Sequence, residues 1–382
     1  MPTGPGDVLE LIRHGHARTR GEVLDATGLS RMTVAQRIDA LLAAGLLVEG
    51  HLGGATGGRR PRSLAFNAAH GRVVAASVDT THTRVALTDL DGRLLADRDV
   101  EVAVTSGPAR TLDALAGAAL ELLGGAGGLT GVCGAGVSVP GPVDPETGRP
   151  SQPPIMPGWD GYPIADHLSA ALPGVPVLTA NDADAAAVGE HAAGHAGTRA
   201  MCLVKVSTGI GTGIVVDGRP YRGADGGAGD IGHVRLRSHA DALCMCGGHG
   251  CLAAVASGRA VARSLTALGI PAESGRDVGA LLAAGSPDAA RLTQEAGRLV
   301  GEVMATVVSV LNPQVVVVGG ALASAPLIAG IRETLYTLSL PRATRHLALQ
   351  LGRLGADAAV VGLARLVVED RFSAAAVNAR LG

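Results

Sequence analysis

Apolar residues recur at helical spacing three times within the first part of the chain. One helix fits residues 7–14, and a second fits residues 20–26, with Gly28 closing it. A third helix begins after Ser30, a suitable N-cap. Its core-facing side is formed by four apolar residues, Val34, Ile38, Leu41 and Leu42. We therefore expect a small bundle in which the third helix buries one side and exposes the other.

The exposed side of this third helix carries polar residues along its first two turns. They are Arg31, Thr33, Gln36 and Arg37. Such a surface suits the major groove of DNA, where glutamine reads adenine and arginine reaches guanine or phosphate. The third helix is therefore a candidate recognition helix.

Two short apolar runs follow, at residues 46–48 and 64–66, and a glycine-rich loop separates them. This pattern predicts a β-hairpin wing. Its loop carries Arg59, Arg60 and Arg62, which suit DNA phosphates or the narrow minor groove. The alternative is a solvated helical bundle with a basic turn. Helix, cap, wing and arginines in this order favour a winged helix-turn-helix.

From residue 71 onward, period-two strands alternate with alanine-rich helices. The predicted elements are strands at 73–78, 84–90 and 94–104, a helix at 108–123, strands at 131–139 and 177–179, a helix at 182–195, and strands at 200–206 and 212–216. Each group of strands contains an Asp-Gly turn, at Asp91-Gly92 and at Asp217-Gly218. The pattern predicts an α/β architecture with an internal duplication.

Composition narrows the class of protein. With 382 residues, 47% of them hydrophobic, the chain is long enough for more than one domain. It lacks a long uncharged apolar run and a signal-peptide core, so we expect a cytoplasmic protein without membrane contact. Aromatic residues make up 2%, which disfavours base stacking on single strands. Residues 1–64 carry eight arginines against six acidic residues, so the basic excess lies at the N-terminus although the net charge is -2.

The most specific chemical pattern is H-x10-C-x-C-x4-C, formed by His233, Cys244, Cys246 and Cys251. Three thiolates and an imidazole complete a tetrahedral zinc site and leave no position for water, which predicts a structural rather than a catalytic ion. Glycines between the cysteines allow the tight turns that this spacing needs. The alternative is three free thiols and an unrelated histidine.

These motifs, in this order, resemble the transcriptional regulators of the ROK family (repressors, open reading frames and kinases). The resemblance runs from about residue 7 to about residue 369. It implies a winged helix-turn-helix over residues 1–70 and a ROK actin-like, ribonuclease H-like duplicated body over residues 71–382. The body would have lobes at about 71–180 and 181–382, with a ligand cleft between them and the zinc loop in the second lobe.

The resemblance also shows where this chain departs from the kinases of the family. The loop at 207–213 and the segment 312–320 resemble the second phosphate loop and the nucleotide-side strand and turn. The first phosphate loop should read Asp-x-Gly-x-Thr, but this chain has Ser77 for the aspartate and Asp79 for the glycine. A carboxylate repels phosphates, and a side chain blocks close backbone contact. ATP binding is therefore not expected.

The resemblance assigns the role of general base to Asp182, which would be vestigial without ATP. From the sequence alone, the cap of the following helix is the favoured role of Asp182, whereas the family motif favours a cleft residue that could also serve as the cap. The resemblance places Asn181, Asp182, Asp230 and His233 at the ligand. Two polar positions of the sugar kinases are apolar here, Ile155 and Ala253. Losing hydrogen-bonding groups weakens recognition of an unmodified glucose-like sugar.

The sequence thus predicts a DNA-binding transcriptional repressor without kinase activity. Its expected partners are double-stranded operator DNA and a carbohydrate or carbohydrate-derivative effector, and its expected state is a homodimer or homotetramer. The main alternative is an ATP-dependent sugar kinase with an appended DNA-binding domain. A third possibility, a non-enzymatic scaffold, leaves the wing arginines and the zinc loop unexplained.

Overall fold

The computed structural model describes residues 4–51 and 62–382. The N-terminal unit comprises three helices and a two-stranded antiparallel wing: α1 (Pro5–Arg13), α2 (Arg20–Thr27), α3 (Arg31–Ala43), β1 (Leu47–His51) and β2 (Arg62–Phe66). All three predicted helices and the wing strands are confirmed. The tip of the wing, with Arg59 and Arg60, lies outside the described residues.

Local capping explains where the helices of this unit begin and end. The hydroxyl oxygen of Ser30 accepts a hydrogen bond from the Thr33 amide, so α3 starts where the sequence indicates. Gly28 ends α2 with a φ of 68°, a left-handed conformation that favours glycine. Val34, Ile38 and Leu41 are buried, and Leu42 is partly buried. The predicted core-facing side is therefore confirmed.

The first lobe is built on a five-stranded sheet in the order β5-β4-β3-β6-β7. Its elements are β3 (Arg72–Val78), β4 (Thr83–Asp89), β5 (Leu94–Val100), α4 (Pro108–Gly124), β6 (Val132–Val139), α5 (Ile164–Ser169) and β7 (Val177–Asn181). The expectation of a strand as far as residue 104 was wrong. A 3-10 turn occupies Val104–Ser106, and Gly107, with a φ of 90°, leads directly into the proline that starts α4.

The second lobe repeats this plan, with strand order β10-β9-β8-β11-β12. The remaining elements are α6 (Asp182–Gly194), β8 (Ala200–Val206), β9 (Ile210–Val216), β10 (Arg219–Pro220), α7 (Leu252–Ala256), α8 (Gly258–Ala267), α9 (Gly275–Ala283), α10 (Pro287–Leu311), β11 (Val315–Gly319), α11 (Ala325–Leu338), α12 (Pro341–Thr344), β12 (Ala348–Leu351), α13 (Ala358–Arg371) and α14 (Ala374–Leu381). In both sheets the first strand pairs antiparallel with the second and parallel with the fourth. The predicted duplication and the two-lobed actin-like α/β class are confirmed.

Helices α6 and α13 cross at very short range between the two sheets. A Cβ atom on Gly362 would overlap the carbonyl oxygen of Ala185, and one on Gly189 would overlap that of Ala358. Alanines and aliphatic residues from both sheets and both helices form one core around this crossing. Because only glycine permits such an approach, α6 and α13 are held as a single packed unit.

The N-terminal unit shares its hydrophobic core with the C-terminal helices. Val8 and Leu9 of α1 belong to the same buried cluster as Val368, Phe372 and Val377 of the C-terminal region. The cluster also includes residues of α3 and β2, so the N-terminal unit and the body are not separated by a linker at this face. Polar contacts flank it, since the Arg13 guanidinium lies 2.7 Å from the Glu369 carboxylate.

Within residues 4–51 and 62–382, no helix is both long and apolar enough to cross a lipid bilayer.

Candidate functional site

The four predicted metal ligands come together in one cluster. One ligand atom from each of His233, Cys244, Cys246 and Cys251 lies within 4.8 Å of all the others. The Cys246 and Cys251 sulfurs are 3.7 Å apart, and the Cys244 sulfur is 3.7 Å from His233 Nδ1. Ligands roughly 2.3 Å from a tetrahedral ion have about this separation. The donor set and its spacing therefore fit a zinc ion.

Turns between the cysteines produce this geometry. The Cys244 amide donates to the Gly248 carbonyl at 2.8 Å, and the Gly247 amide donates to the Cys244 carbonyl at 3.0 Å. Gly247 has a φ of 83°, which an L-residue rarely adopts. A hydrogen bond from the Gly248 backbone lowers the pKa of the Cys246 thiol to about 7. Burial raises the pKa of the neighbouring Cys251 thiol to about 12, so Cys246 is the cysteine of this pair that ionises more readily.

The other nitrogen of the His233 ring faces a carboxylate. His233 Nε2 lies 4.0 Å from Oδ1 of Asp230, one helical turn earlier in the chain. At 4.0 Å the two groups are close but are not directly hydrogen bonded. Asp230 and the metal cluster are thus adjacent, as the spacing of residues 230 and 233 indicates.

A cavity of about 390 Å³ lies between the two lobes, and the four predicted ligand-binding residues all line it. Asn181 and Asp182 enter from the junction of β7 and α6, while Asp230 and His233 enter from the loop that carries the metal cluster. The carboxyl ends of the parallel strands of both sheets point toward this cleft, which is where α/β proteins bind ligands. Ile155 and Ala253 also line the wall, so two apolar groups face the ligand space.

Asn181, not Asp182, caps α6. The Asn181 side-chain oxygen accepts hydrogen bonds from the amides of Ala183 at 2.8 Å and Asp184 at 3.1 Å. The reading of Asp182 as the cap was therefore wrong, because the helix begins one residue earlier than that role requires. Asp182 is buried in the cleft wall, and burial raises its pKa while the neighbouring Lys205 ammonium opposes the rise. Its carboxylate accepts a hydrogen bond from Lys205 Nζ.

Lys205 is the main site residue that sequence reasoning missed. It lies on β8, its side chain is 15% exposed, and its ammonium lies 3.8 Å from Asp79 as well as contacting Asp182. The two carboxylates raise the pKa of Lys205 against the opposing effect of its burial. A signal existed in the sequence, because Lys205 is the only lysine of the chain and interrupts an apolar strand.

Gln152 and Arg259 also line the cavity and were not predicted. Gln152 has a φ of 45°, an unusual conformation for a residue with a side chain. The backbone N–H of Gln152 donates to the Asp160 carboxylate at 2.7 Å, and this hydrogen bond holds the backbone conformation in place. Non-glycine residues in such conformations concentrate at functional sites. The sequence offers no periodicity or motif from which this backbone conformation could be read.

A second cavity of about 340 Å³ lies on the other side of Lys205. It corresponds to the nucleotide side suggested by the loops at 207–213 and 312–320, and Ser77, Arg276 and Gly320 are among its lining residues. The Thr80 and Thr208 hydroxyls hydrogen bond across the cleft at 2.7 Å. The turn after β3 and the turn after β8 are therefore in direct contact.

The predicted DNA-contacting residues of α3 and the wing differ in their exposure to solvent and in the contacts that they already make. Arg31 and Gln36 are exposed, and Arg37 is partly buried. The Thr33 hydroxyl lies 2.8 Å from that of Ser30 within the N-cap. In the wing, the Arg62 guanidinium is 2.6 Å from the Glu49 carboxylate. Within α3, Arg31 and Gln36 are thus the exposed residues of the predicted set, and Arg62 of the wing is also exposed although it is paired.

Comparisons with known proteins agree with this geometry. The model of the ROK family matches residues 74–370. The xylose repressor of Bacillus spizizenii is 27% identical over 355 residues, covering 92% of this chain and 91% of its own. A crystal structure of a ROK family transcriptional regulator, a homolog of the E. coli MLC protein, is 25% identical with a TM-score of 0.81 and covers 98% of this chain and 97% of its own. The ROK family glucokinase from Streptomyces griseus, solved with glucose and AMPPNP, is 27% identical with a TM-score of 0.67 and covers 78% of this chain and 99% of its own.

Proposed function

The chain belongs to the ROK family, and from that membership we propose that it is a DNA-binding transcriptional repressor controlled by a carbohydrate-type ligand. The observation that carries this proposal is the share of the chain that each similar structure covers. The regulator structure covers 98% of the chain, whereas the glucokinase structure covers 78%. The family model begins at residue 74, so the proposed winged helix-turn-helix lies outside the matched body, and the match to the xylose repressor covers 92% of the chain.

Operator DNA would be bound by α3 and the wing. Arg31 and Gln36 project from the exposed side of α3, where they can reach base edges or phosphates in the major groove, with Thr33 and Arg37 beside them. Arg59, Arg60 and Arg62 would contact the backbone or the minor groove. We further propose a homodimer or homotetramer in the cytoplasm, because two recognition helices must lie about 34 Å apart to fill successive half-sites.

The ligand would bind in the cavity between the lobes, with Asn181, Asp182, Asp230 and His233 supplying polar contacts. Helix α13 offers a route from this cleft to the DNA-binding unit. Near its start, Asp357 lies 2.7 Å from Arg84 of the first lobe, and near its end Glu369 holds Arg13 of α1. Movement of the lobes would therefore shift α1. A coupling of roughly 1 to 3 kcal/mol is enough to change operator affinity about 5- to 150-fold.

Zinc would be held by His233, Cys244, Cys246 and Cys251. All four positions of a tetrahedral ion would be filled by protein atoms, so the ion would supply rigidity and not a reactive water. Its role would be to fix the loop that carries Asp230 against the cleft. Leu243 and Met245 of the same loop line the ligand cavity, so the ion would also position apolar contacts for the ligand.

Kinase activity would be absent. Asp79 stands where the first phosphate loop of the kinases has glycine, and Ser77 stands where it has aspartate. The hydrogen bond between the Thr80 and Thr208 hydroxyls would also narrow the space between the two loops that resemble phosphate loops. The runner-up function, an ATP-dependent sugar kinase, is favoured by Asp182 and the glycine-rich loop at 207–213. Isothermal titration with ATP and magnesium discriminates between the two, since the repressor hypothesis expects no heat of binding.

The test of the main proposal is fluorescence anisotropy on DNA from upstream of the protein's own gene. We expect tight, salt-sensitive binding that one compound in a panel of sugars and sugar derivatives shifts. The variant Gln36→Ala should lose affinity for the operator but not for unrelated DNA, because a base contact carries about 1–3 kcal/mol of discrimination. Equal loss on both DNAs would contradict the assignment of α3 as the recognition helix.

A further inference from the structure

We propose that Lys205 is a specificity-determining residue that supplies the cleft with a built-in cation. It takes the place between Asp79 and Asp182 that a divalent ion would otherwise fill, and next to these three side chains it favours hydroxyl groups of the ligand over a phosphate group. The inference rests on the proposed function only in treating the occupant of this cavity as the effector.

The geometry joins three parts of the fold at one ammonium group. Asp79 follows β3 of the first lobe, Lys205 lies on β8 of the second, and Asp182 opens α6 between them. Lys205 Nζ hydrogen bonds to Asp182 and lies 3.8 Å from the Asp79 carboxylate. The three side chains are 15%, 11% and 24% exposed for Lys205, Asp182 and Asp79, so water screens them little. Lys205 therefore bridges carboxylates on opposite sides of the cleft.

The bridge also forms the wall between the two cavities. Asp79, Thr80, Lys205, Ser207 and Thr208 line both of them. The hydrogen bond between Thr80 and Thr208 extends the same wall. A ligand that spans both cavities would have to break the Lys205 contacts and this hydrogen bond together. The wall thus confines a ligand to the cavity that holds Asn181 and Asp230.

Charge explains the selectivity. Two carboxylates share one ammonium, so the bridge carries a net charge of about -1 when all three groups are ionised. A phosphate entering beside the bridge would meet this negative charge, and the Lys205 ammonium within the bridge is already held by two carboxylates. Arg259 and Arg263 line the same cavity, so this repulsion acts next to the bridge and not over the whole lining. Hydroxyl groups can donate to the free lone pairs of Asp182 without adding charge. Next to the bridge, a hydroxyl group of the ligand is therefore favoured over a phosphate group.

The identity of the cation is also informative. The chain contains 31 arginines and a single lysine, Lys205. An ammonium is a compact point charge whose donors can be turned toward two carboxylates, whereas a guanidinium is broad and planar. A divalent ion is the other compact cation that two facing carboxylates bind. Removing the ammonium should leave the pair of carboxylates able to bind such an ion.

The experiment measures Mn²⁺ binding by isothermal titration to zinc-loaded full-length protein. Wild type and Lys205→Arg keep a cation, so we expect no Mn²⁺ site in the millimolar range. Lys205→Met should gain one site per chain, at least tenfold tighter than any binding by wild type. The double variant Lys205→Met, Asp79→Asn should lose that gain. Binding to wild type as tight as to Lys205→Met, or a gain that survives Asp79→Asn, would overturn the proposal.

A measurement on the wild type covers the case in which Lys205→Met does not fold. Labelling with [15N]lysine gives a single side-chain signal, because the chain has one lysine. We expect a slowly exchanging ammonium signal at neutral pH that shifts in Asp79→Asn and is unchanged by inorganic phosphate. Rapid exchange with water, or a shift on adding phosphate, would contradict the bridge. Neither experiment uses DNA or an effector, so failure of the repressor proposal would leave these outcomes interpretable.

Discussion

Cys246 is the exposed member of the metal cluster, whereas Cys244 and Cys251 are buried. Replacing it by serine keeps the local volume but removes one of four ligands. We expect the zinc content after dialysis to be about one ion per chain in the parent and well below half an ion per chain in Cys246→Ser. The reason is that a structural site needs all its ligands. Elemental analysis measures the content. Cys133→Ser, outside the cluster, is the matched control, and unchanged zinc in Cys246→Ser would refute the assignment.

Asp184 gives the protein a measurable pH dependence. Burial raises the pKa of Asp184 to about 7, and Arg222, 3.9 Å away, only partly opposes this. The native state therefore holds a proton that the unfolded state has lost, and stability falls as the pH rises through the interval between the two pKa values.

We expect Asp184→Asn to remove this penalty. Relative to the parent, the variant should gain about 2–3 kcal/mol between pH 5 and pH 8, measured from urea unfolding of zinc-loaded protein. The exposed residue Asp225 provides the control Asp225→Asn, which should follow the parent at every pH. A constant difference between Asp184→Asn and the parent would show that Asp184 does not titrate in this range.

At the scale of single residues, the sequence predicts best what is local. The four metal ligands lie between residues 233 and 251, so their spacing along the chain already restricts their arrangement in space. Lys205 is the opposite case. The sequence shows that Lys205 is the only lysine of the chain and that it lies in an apolar strand. Its role, however, depends on Asp79, which is far away in the sequence, and on a contact between the two lobes. Its meaning emerges only from the tertiary structure.

Among the elements, α3 and the wing would bind DNA in different ways. Wing arginines would contact phosphates, so replacing Arg59, Arg60 and Arg62 by alanine should weaken binding to all sequences and flatten its salt dependence. Because Arg62 is paired with Glu49 at 2.6 Å, we expect most of the change to come from the other two arginines. The slope of log K against log salt should fall by about two.

Fluorescence anisotropy at several salt concentrations checks this, with Arg291→Ala as the control. Arg291 lies on α10 and pairs with Asp288 and Glu295, so its removal alters the net charge without touching the wing. An unaltered salt slope in the triple variant would count against the wing as a DNA contact.

The sequence predicts the ends of an element correctly where a strong cap marks them. Where no cap is present, the predicted end is wrong. Ser30 and Gly28 mark their helix ends in the sequence, and the structure places both ends there. The strand after Leu94 was predicted four residues too long, because alternating valines continue the strand pattern through Val104. The turn at Val104–Ser106 depends on packing, since the Trp159 indole donates to the Val104 carbonyl at 3.0 Å.

For the molecule as a whole, the contact between α1 and α13 is the joint between the N-terminal unit and the body. Burial opposes ionisation of Glu369, but hydrogen bonding to His14 and the charge of Arg13 lower its pKa to about 2. We expect Glu369→Gln to speed amide hydrogen exchange in α1 about two- to fivefold at pH 7, the effect of a partly exposed ion pair. Mass spectrometry of peptides from residues 5–13 measures it.

The neighbouring exposed residue supplies the control, because Asp370→Asn removes the same charge without removing a contact to α1. Faster exchange in both variants would indicate a general charge effect and not a joint. If the joint transmits the ligand signal, Glu369→Gln should also reduce the change in operator affinity that the effector causes.

Fold class and duplication could be read from the sequence because both lobes repeat the same strand pattern and Asp-Gly turn. The packing of the chain's end against its beginning could not. Val377 of α14 and Val8 of α1 lie in one core although nearly the whole chain separates them, and neither helix carries a motif that predicts the other.

This arrangement has a consequence for synthesis on the ribosome. The N-terminal unit is made long before Phe372 and Val377, with which it shares a core. A chain that stops before α13 leaves the apolar side of α1 without its cover. An incomplete chain should therefore be recognised as misfolded and degraded, and should not persist as a DNA-binding fragment that ignores the effector.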